Sequence, residues 1–367
     1  MFSHFKGAMA FTAICLALAA WLGWGLTHSA AGTAGVVWIV IVLGVLEVSL
    51  SFDNAVVNAA VLKDMPPIWR KRFLTWGMVI AVFGMRVIFP LAIVAIAAKL
   101  GPLAAVKLAA ENPSEYERII TSAHVGISGF GGTFLAMVGL TYFFDQDKEV
   151  HWIGFVEQWL AKLAAVEAIQ IAIVLLALYG VSLLLPNEEA FTLLKAGIFG
   201  LLAFLVVEAI SSVLEPEGQS GTVVRAGIAG FLYLNMLDSA FSFDGVIGAF
   251  ALSNNIFIIA LGLGIGAMFV RSMTVLLVER GTLSEYRYLE HGAFWAILIL
   301  SAIMLLSARF EIPEVITGFI GAVLIGLSLW GSARYNRIHG NGDGAEDEGI
   351  APDGSVMEGT GPSGVAS

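Results

Sequence analysis

The chain is built of long apolar runs separated by short polar connections, and within the runs the apolar residues are continuous, not alternating with period two. A bilayer-crossing helix needs about 20 mostly apolar residues, because each residue rises about 1.5 Å and the hydrocarbon core is about 30 Å thick. Ten runs meet that need: 8–26, 35–62, 74–98, 125–144, 163–185, 195–213, 226–252, 256–278, 292–308 and 315–331. Continuous runs suit helices better than a transmembrane barrel, whose strands alternate. The pattern predicts an all-α polytopic membrane protein with about ten transmembrane helices.

Composition agrees. The chain is 58% hydrophobic and 13% charged, with a mean hydropathy of +0.86, against roughly 45–50% and about 25% in soluble domains. A water-soluble enzyme of this length is excluded, and 24 Phe with 9 Trp exclude a disordered chain. The net charge of −10 argues against a nucleic-acid partner. Six of the acids, with no Lys or Arg, lie in the Gly-rich stretch 340–367, which reads as a disordered cytoplasmic tail. The single cysteine, Cys15, falls in the first run and leaves no disulfide framework or Cys-based zinc site.

Basic connections stay on the cytoplasmic side. With the N-terminus inside, 12 Lys and Arg fall in inner connections and 5 in outer ones, while Arg86 and Arg271 fall within predicted spans. Both termini are therefore expected to be cytoplasmic, in a bacterial-type inner membrane. The first run, in region 1–34, is followed by Ser29-Ala30-Ala31, so it also fits a cleavable signal peptide, although it is long for one. The connection 99–124 contains Glu111-Asn112-Pro113-Ser114-Glu115, a helix breaker followed by a capping-type start.

The segments Leu46-Glu47-Val48-Ser49-Leu50-Ser51-Phe52-Asp53-Asn54 and Leu237-Asp238-Ser239-Ala240-Phe241-Ser242-Phe243-Asp244-Gly245 form an internal repeat. Each places a carboxylate six residues before the Asp of Ser-Phe-Asp. In the span that follows, Gly77 precedes Arg86 by nine residues and Gly262 precedes Arg271 by nine, and each copy then reaches a histidine, His124 or His291. Copies of three helices thus occupy 35–144 and 226–332, the latter with a final span, and two helices are inserted over 145–225. Matched spans separated by an odd number of crossings run in opposite directions, the inverted repeat of many secondary transporters, whose sites lie where the copies meet.

At 100° per residue Glu47, Ser51, Asn54 and Asn58 share a stripe, with Asp53 displaced by about 120°. Either Glu47 and Asp53 face different neighbours, or the helix breaks near Ser51–Asn54 and turns them toward one cavity. An ionised Asp at a helix centre costs at least about 2.5–3.5 kcal/mol, so Glu47, Asp53, Asp238 and Asp244 need partners. Structural ion pairs with Arg86 and Arg271 are one answer. Four carboxylates against two guanidiniums still leave two negative charges, which a divalent cation could neutralise. Carboxylates with Ser51, Ser242 and Asn54 suit hard cations such as Mn²⁺, Mg²⁺ or Ca²⁺. The same acids could instead carry protons. His124 and His291 near membrane ends, and Glu208 within an apolar run, are weaker candidates. Gly126-Ile127-Ser128-Gly129 echoes a serine-hydrolase string, with His291 as a conceivable base, but no supporting pattern accompanies it.

At Glu47…Ser51-Phe52-Asp53-Asn54 and Asp238…Ser242-Phe243-Asp244 the chain resembles the TerC family of integral membrane proteins, named for tellurium resistance, and within it a branch defined as a domain of unknown function. The resemblance, over roughly 35–331, implies a LysE-like transporter fold, a role in metal-ion homeostasis such as manganese export, and Glu47, Asp53, Asn54, Asp238 and Asp244 at the acidic motif positions. The chain departs from that pattern where Gly245 stands opposite Asn54. The combined expectation is a non-enzymatic divalent-metal exporter in lipid, with no tightly bound cofactor and the metal, manganese-like, as substrate. Proton-coupled export of a small solute or oxyanion, and a noncatalytic scaffold, are the alternatives, and assembly into a homo-oligomer stays open.

Overall fold

The computed structural model describes residues 2–63, 65–77, 79–145, 148, 150–163, 168–214 and 227–339, and among them all regular structure is helical. The tail expected over 340–367 lies outside the described residues. In chain order the helices are α1 (Phe2–Thr27), α2 (Ala30–Leu50), α3 (Phe52–Lys63), α4 (Pro67–Ala97), α5 (Pro102–Glu111), α6 (Pro113–Ser122) and α7 (His124–Phe143). They continue with α8 (Gly154–Leu163), α9 (Ile169–Ser182), α10 (Asn187–Leu214), α11 (Gly227–Ala249), α12 (Ile256–Glu279), α13 (Leu289–Ser307) and α14 (Glu314–His339).

Eight of these are long and apolar enough to cross a bilayer: α1, α2, α4, α7, α10, α12, α13 and α14. The protein is an all-α polytopic membrane protein, and the two other expected runs form α9 and α11, which also carry the chain between the two faces: α9 leads from Gln170 beside Thr141 to Leu184 beside Arg309, and α11 starts with Gly227 beside Trp69. Among the described residues the run 163–185 forms α9, a 14-residue helix that rises about 21 Å. Helix α11 has the length, 23 residues, but Asn235, Asp238, Ser239, Ser242 and Asp244 lower its apolarity. It runs among α3, α4, α7 and α12, where polar side chains need not meet lipid.

Local chemistry explains the helix ends. Ser29 accepts the Gly32 N–H at 3.0 Å and starts α2. Asn112 accepts the Glu115 N–H at 3.3 Å and divides α5 from α6, and Asn255 accepts the Phe257 N–H at 2.9 Å to start α12. The expected breaker at Asn112–Pro113 is therefore present, with two ten-residue helices flanking it.

The predicted span 35–62 is two helices meeting at Ser51, whose backbone sits at φ −107°, ψ 21°. The hydrogen-bond ladder survives, since Ser51 N–H donates to Glu47 O at 3.0 Å and Ala55 N–H to Ser51 O at 3.2 Å. The chain thus bends without unwinding. In the second copy α11 passes through the matching segment unbroken.

Packing between the copies is reciprocal. Helix α2 lies along α12 and α4 along α11; α3 lies against α13 and α11 against α7; α7 and α13 pair with each other. Two residue pairs fix the relative direction of the motif segments. Glu47 approaches Gly245, and Asn54 bonds to Asp238. Numbers rise along one segment as they fall along the other, so the segments run antiparallel. The largest apolar cluster joins Val57, Phe134, Leu234, Phe294 and Ile297 from α3, α7, α11 and α13. Helices α9 and α10 join this core through Val174, Leu201, Phe204 and Val207, with α10 lying along α7, and α1 covers α2 and α12 through Cys15 and Ala19.

Candidate functional site

Glu47, Ser51, Asn54 and Asn58 form the stripe that helical geometry requires, and the structure gives each a partner. Arg86 Nη2 donates to Glu47 Oε1 in a buried ion pair, and Ser51 Oγ donates to the same oxygen at 3.2 Å. Asn58 Nδ2 donates to Asn54 Oδ1 at 2.9 Å, and Asn54 Nδ2 donates to Asp238 Oδ1 at 2.8 Å. That last bond joins the two copies directly. Asp53, at the start of α3, accepts its neighbour's Asn54 N–H at 2.9 Å and lies against Gly321 of α14.

Arg86 occupies a stretch of α4, Ile80–Ile88, wound as a π-helix. Phe89 N–H reaches back five residues to Gly84 O there, and the Arg86 guanidinium caps Ala81 O at 2.6 Å. Such wide turns recur at functional sites. Arg271, its counterpart on α12, is half-buried and donates to Phe73 O at 3.4 Å. Among the described residues it makes no ion pair, and Asp238 is held by Asn54.

Two cavities adjoin this network. The first, about 40 Å³, is lined by Glu47, Asn54, Asn58, Arg86, Asp238 and Arg271, and has room for about three waters. The second, about 60 Å³, is lined by Ser51, Asp53, Gly245, Thr317 and Gly318 together with Glu47. The bend at Ser51 therefore lets Glu47 and Asp53 share a cavity, which an ideal helix forbids.

Of the five expected ligands, Glu47, Asn54 and Asp238 come together in the first cavity, and Asp53 joins Glu47 in the second. The side chain of Asp244 lies outside the described residues. No three His, Cys, Asp or Glu side chains converge on one point among the described residues. Ser242 is buried on α11 with its hydroxyl unpartnered and lines neither cavity.

The weaker candidates sit elsewhere. Glu208 is exposed on α10. His124 is 3.3 Å from Ser128 Oγ at the start of α7, and Ser128 is fully buried, so it presents no accessible nucleophile. His291 is far from Ser128 in role as well as place. Its Nε2 meets Val150 O at 2.7 Å and its Nδ1 meets Tyr142 Oη at 3.2 Å, which satisfies a neutral ring.

That cluster holds groups the sequence reading missed. Buried Glu157 accepts the Trp152 N–H at 2.9 Å, the Ile153 N–H at 3.2 Å and the Trp295 indole N–H at 3.0 Å. Its role is to cap α8 and fasten it to α13. Nearby, Lys63 and Glu290 pair at 2.6 Å across α3 and α13. Beside them half-buried Lys148 lies over the Tyr142 ring, and burial pushes its ammonium down to about 7.

A family model described as a protein of unknown function (DUF475) matches residues 52–339. The chain belongs to that family. The match takes in Asp53, Asn54, Arg86, Asp238 and Arg271 and begins just after Glu47. No curated protein and no solved structure matches the chain.

Proposed function

We propose that this DUF475 protein is a multi-pass transporter exporting a divalent, manganese-like cation through the acidic site between its antiparallel copies. The observation that carries the reading is the Asn54–Asp238 bond beside the Glu47 carboxylate, which brings matched motif residues of both copies to one small buried cavity. Oxygen-only donors suit a hard cation. In the form described, Glu47 is neutralised by Arg86, and loading would require that pair to open so that Asp53 and Asp238 could act with Glu47. Asp244 enters the proposal on its repeat position, and Ser51, Asn54 and Ser242 as neutral oxygen donors. The excess of Lys and Arg on one set of connections supports cytoplasmic termini, in an inner membrane of bacterial type, and the motif supports kinship with the TerC group.

The test is metal binding by the detergent-purified chain, with Mn²⁺, Mg²⁺, Ca²⁺ and Zn²⁺ offered to the parent and to an Asp53→Asn, Asp238→Asn double variant. Saturable binding of Mn²⁺, lost in a variant that remains folded, is the expected result. Equal binding by both forms sinks the site assignment.

A second reading rests on the guanidiniums of Arg86 and Arg271 in the first cavity. Two cations there suit a small oxyanion or acidic solute, with the carboxylates carrying protons. Solute-dependent proton flux in inverted vesicles, independent of metal, separates this reading from the first.

A further inference from the structure

The two cavities lie in different halves of the molecule. One face carries the ends at Lys63, Pro67 and Glu279, where α3 and α12 end and α4 begins; the other carries the ends at Ala97, Ala249, Ile256 and Glu314. The first cavity is lined on α12 by Ala267, Val270, Arg271 and Thr274 and on α3 by Asn58, all toward the former face. The second is lined on α14 by Thr317 and Gly318 and on α11 by Phe241 and Gly245, toward the latter. Among the residues lining the two cavities, Glu47 alone belongs to both.

The protein is shaped around that side chain. A Cβ at Gly266 would fall 2.3 Å from Glu47 Cβ, and a Cβ at Gly245 would fall 3.2 Å from Glu47 Oε2. Both glycines belong to the second copy, so one copy supplies the carboxylate and the other the slot. Arg86 closes the arrangement. It is 3% exposed, yet its Nε has no partner, and neither has Asn58 Oδ1, which is likewise buried. A buried guanidinium nitrogen and a buried amide oxygen left unbonded are costly. They mark the cavity as fitted to further polar contacts beyond those made in this closed arrangement.

We propose that the Glu47–Arg86 pair is the barrier between two half-channels, and that Glu47 is the residue through which a cation passes from one to the other. Arg86 is a tethered counter-ion that neutralises Glu47 while the path is empty. An incoming cation takes the place of the guanidinium on the carboxylate, and Arg86 withdraws along its wide-turned stretch of α4. The inference deepens the transport reading and rests on it, but the barrier itself does not depend on which ion is carried.

Thiol accessibility tests it without any metal. In a Cys15→Ala background of the full chain, Ala81→Cys reports on the first cavity and Thr317→Cys on the second. Both are treated with a charged, membrane-impermeant methanethiosulfonate in right-side-out and in inverted vesicles. Each cysteine is expected to react from one side only, the two from opposite sides, and Glu47→Gln is expected to make both reactive from both sides. If Glu47→Gln does not fold, the Glu47→Gln, Arg86→Gln double variant removes both charges together and carries the same expectation. Reaction of either cysteine from both sides of the otherwise unaltered chain, reaction from neither side, or one-sidedness retained in the folded variant overturns the barrier. Failure of metal binding with the barrier intact overturns the choice of substrate instead.

Discussion

In the first copy of the repeat the helix bends at Ser51, the acid is the longer Glu47, and Arg86 clasps it within a π-helical stretch. In the second copy α11 runs straight through, the acid is the shorter Asp238, and Arg271, among the described residues, donates to the Phe73 carbonyl and forms no ion pair. The neighbours are exchanged to match. Glu47 meets Gly245 and Gly266 of the second copy, whereas the positions matched to those glycines in the first copy are Asn54 and Ala81, and both share a cavity with Asp238. A long acid faces two glycines and a short acid faces larger residues. The copies have diverged as a complementary pair, and the difference that reads as a departure from the motif, Gly245 for Asn54, is the room that Glu47 occupies.

The comparison breaks most visibly at the arginines. Removing one partner of a buried ion pair leaves an uncompensated charge and costs about 3–5 kcal/mol. Arg86→Leu is expected to lower the thermal unfolding midpoint in detergent sharply, whereas Arg271→Leu, at a half-buried residue without an ion pair among the described residues, is expected to cost about 1 kcal/mol or less. Equal losses at the two positions would show that the asymmetry of the pairs has no energetic content.

Next comes the slot. Gly266→Ala gives the second copy the residue the first copy has at Ala81, and its Cβ would overlap Glu47. Overpacking of this kind costs about 1–3 kcal/mol, and Glu47 would have to leave its place beside Arg86. Gly245→Ala, where the neighbour has only to give by a few tenths of an ångström, is expected to cost less and to act on ion binding more than on stability. The unfolding midpoints and Mn²⁺ isotherms of the two variants check the order.

Asn54→Ala removes the bond that joins the copies at Asp238, for an expected loss of about 1 kcal/mol. A loss above that of Gly266→Ala would mean that the copies are held together mainly by this bond instead of by packing.

Much of this was legible from one sequence because membrane spans and helical stripes are local patterns. Twenty apolar residues announce a span, and 100° per residue aligns Glu47, Ser51, Asn54 and Asn58 without any knowledge of neighbours. The Ser-Phe-Asp repeat likewise announced antiparallel copies. What the sequence left open depends on angles and distant partners. Whether Asp53 shares a cavity with Glu47 turns on the bend at one residue, Ser51. Which of Arg86 and Arg271 forms an ion pair depends on slots made by Gly245 and Gly266, nearly two hundred residues away. Glu157 escaped notice because its hydrogen-bond partners are two backbone amides and Trp295, with no repeat and no motif around it.

The smallest expected effect serves as a control on the whole comparison, since it lies where the copies touch away from the acids. Lys148 sits against Tyr142 of the first copy, near the Lys63–Glu290 pair that joins α3 to α13. Burial lowers its pKa to about 7 from 10.5, against the opposing pull of Glu290, Glu157 and Asp145. The unfolded chain therefore binds more protons than the folded one between those values, and stability contributed at this site rises with pH across that window. Below pH 7 both states carry the proton and the cost of burying the charge is constant. Lys148→Met removes that cost, so it is expected to raise the unfolding midpoint slightly at pH 6 and to lose most of the advantage by pH 9. Mn²⁺ binding at the site should be untouched throughout. A midpoint difference that does not change between pH 6 and pH 9 would show that the lysine is hydrated in the folded protein, and a change in Mn²⁺ affinity would show that this contact between the copies is coupled to the acids after all.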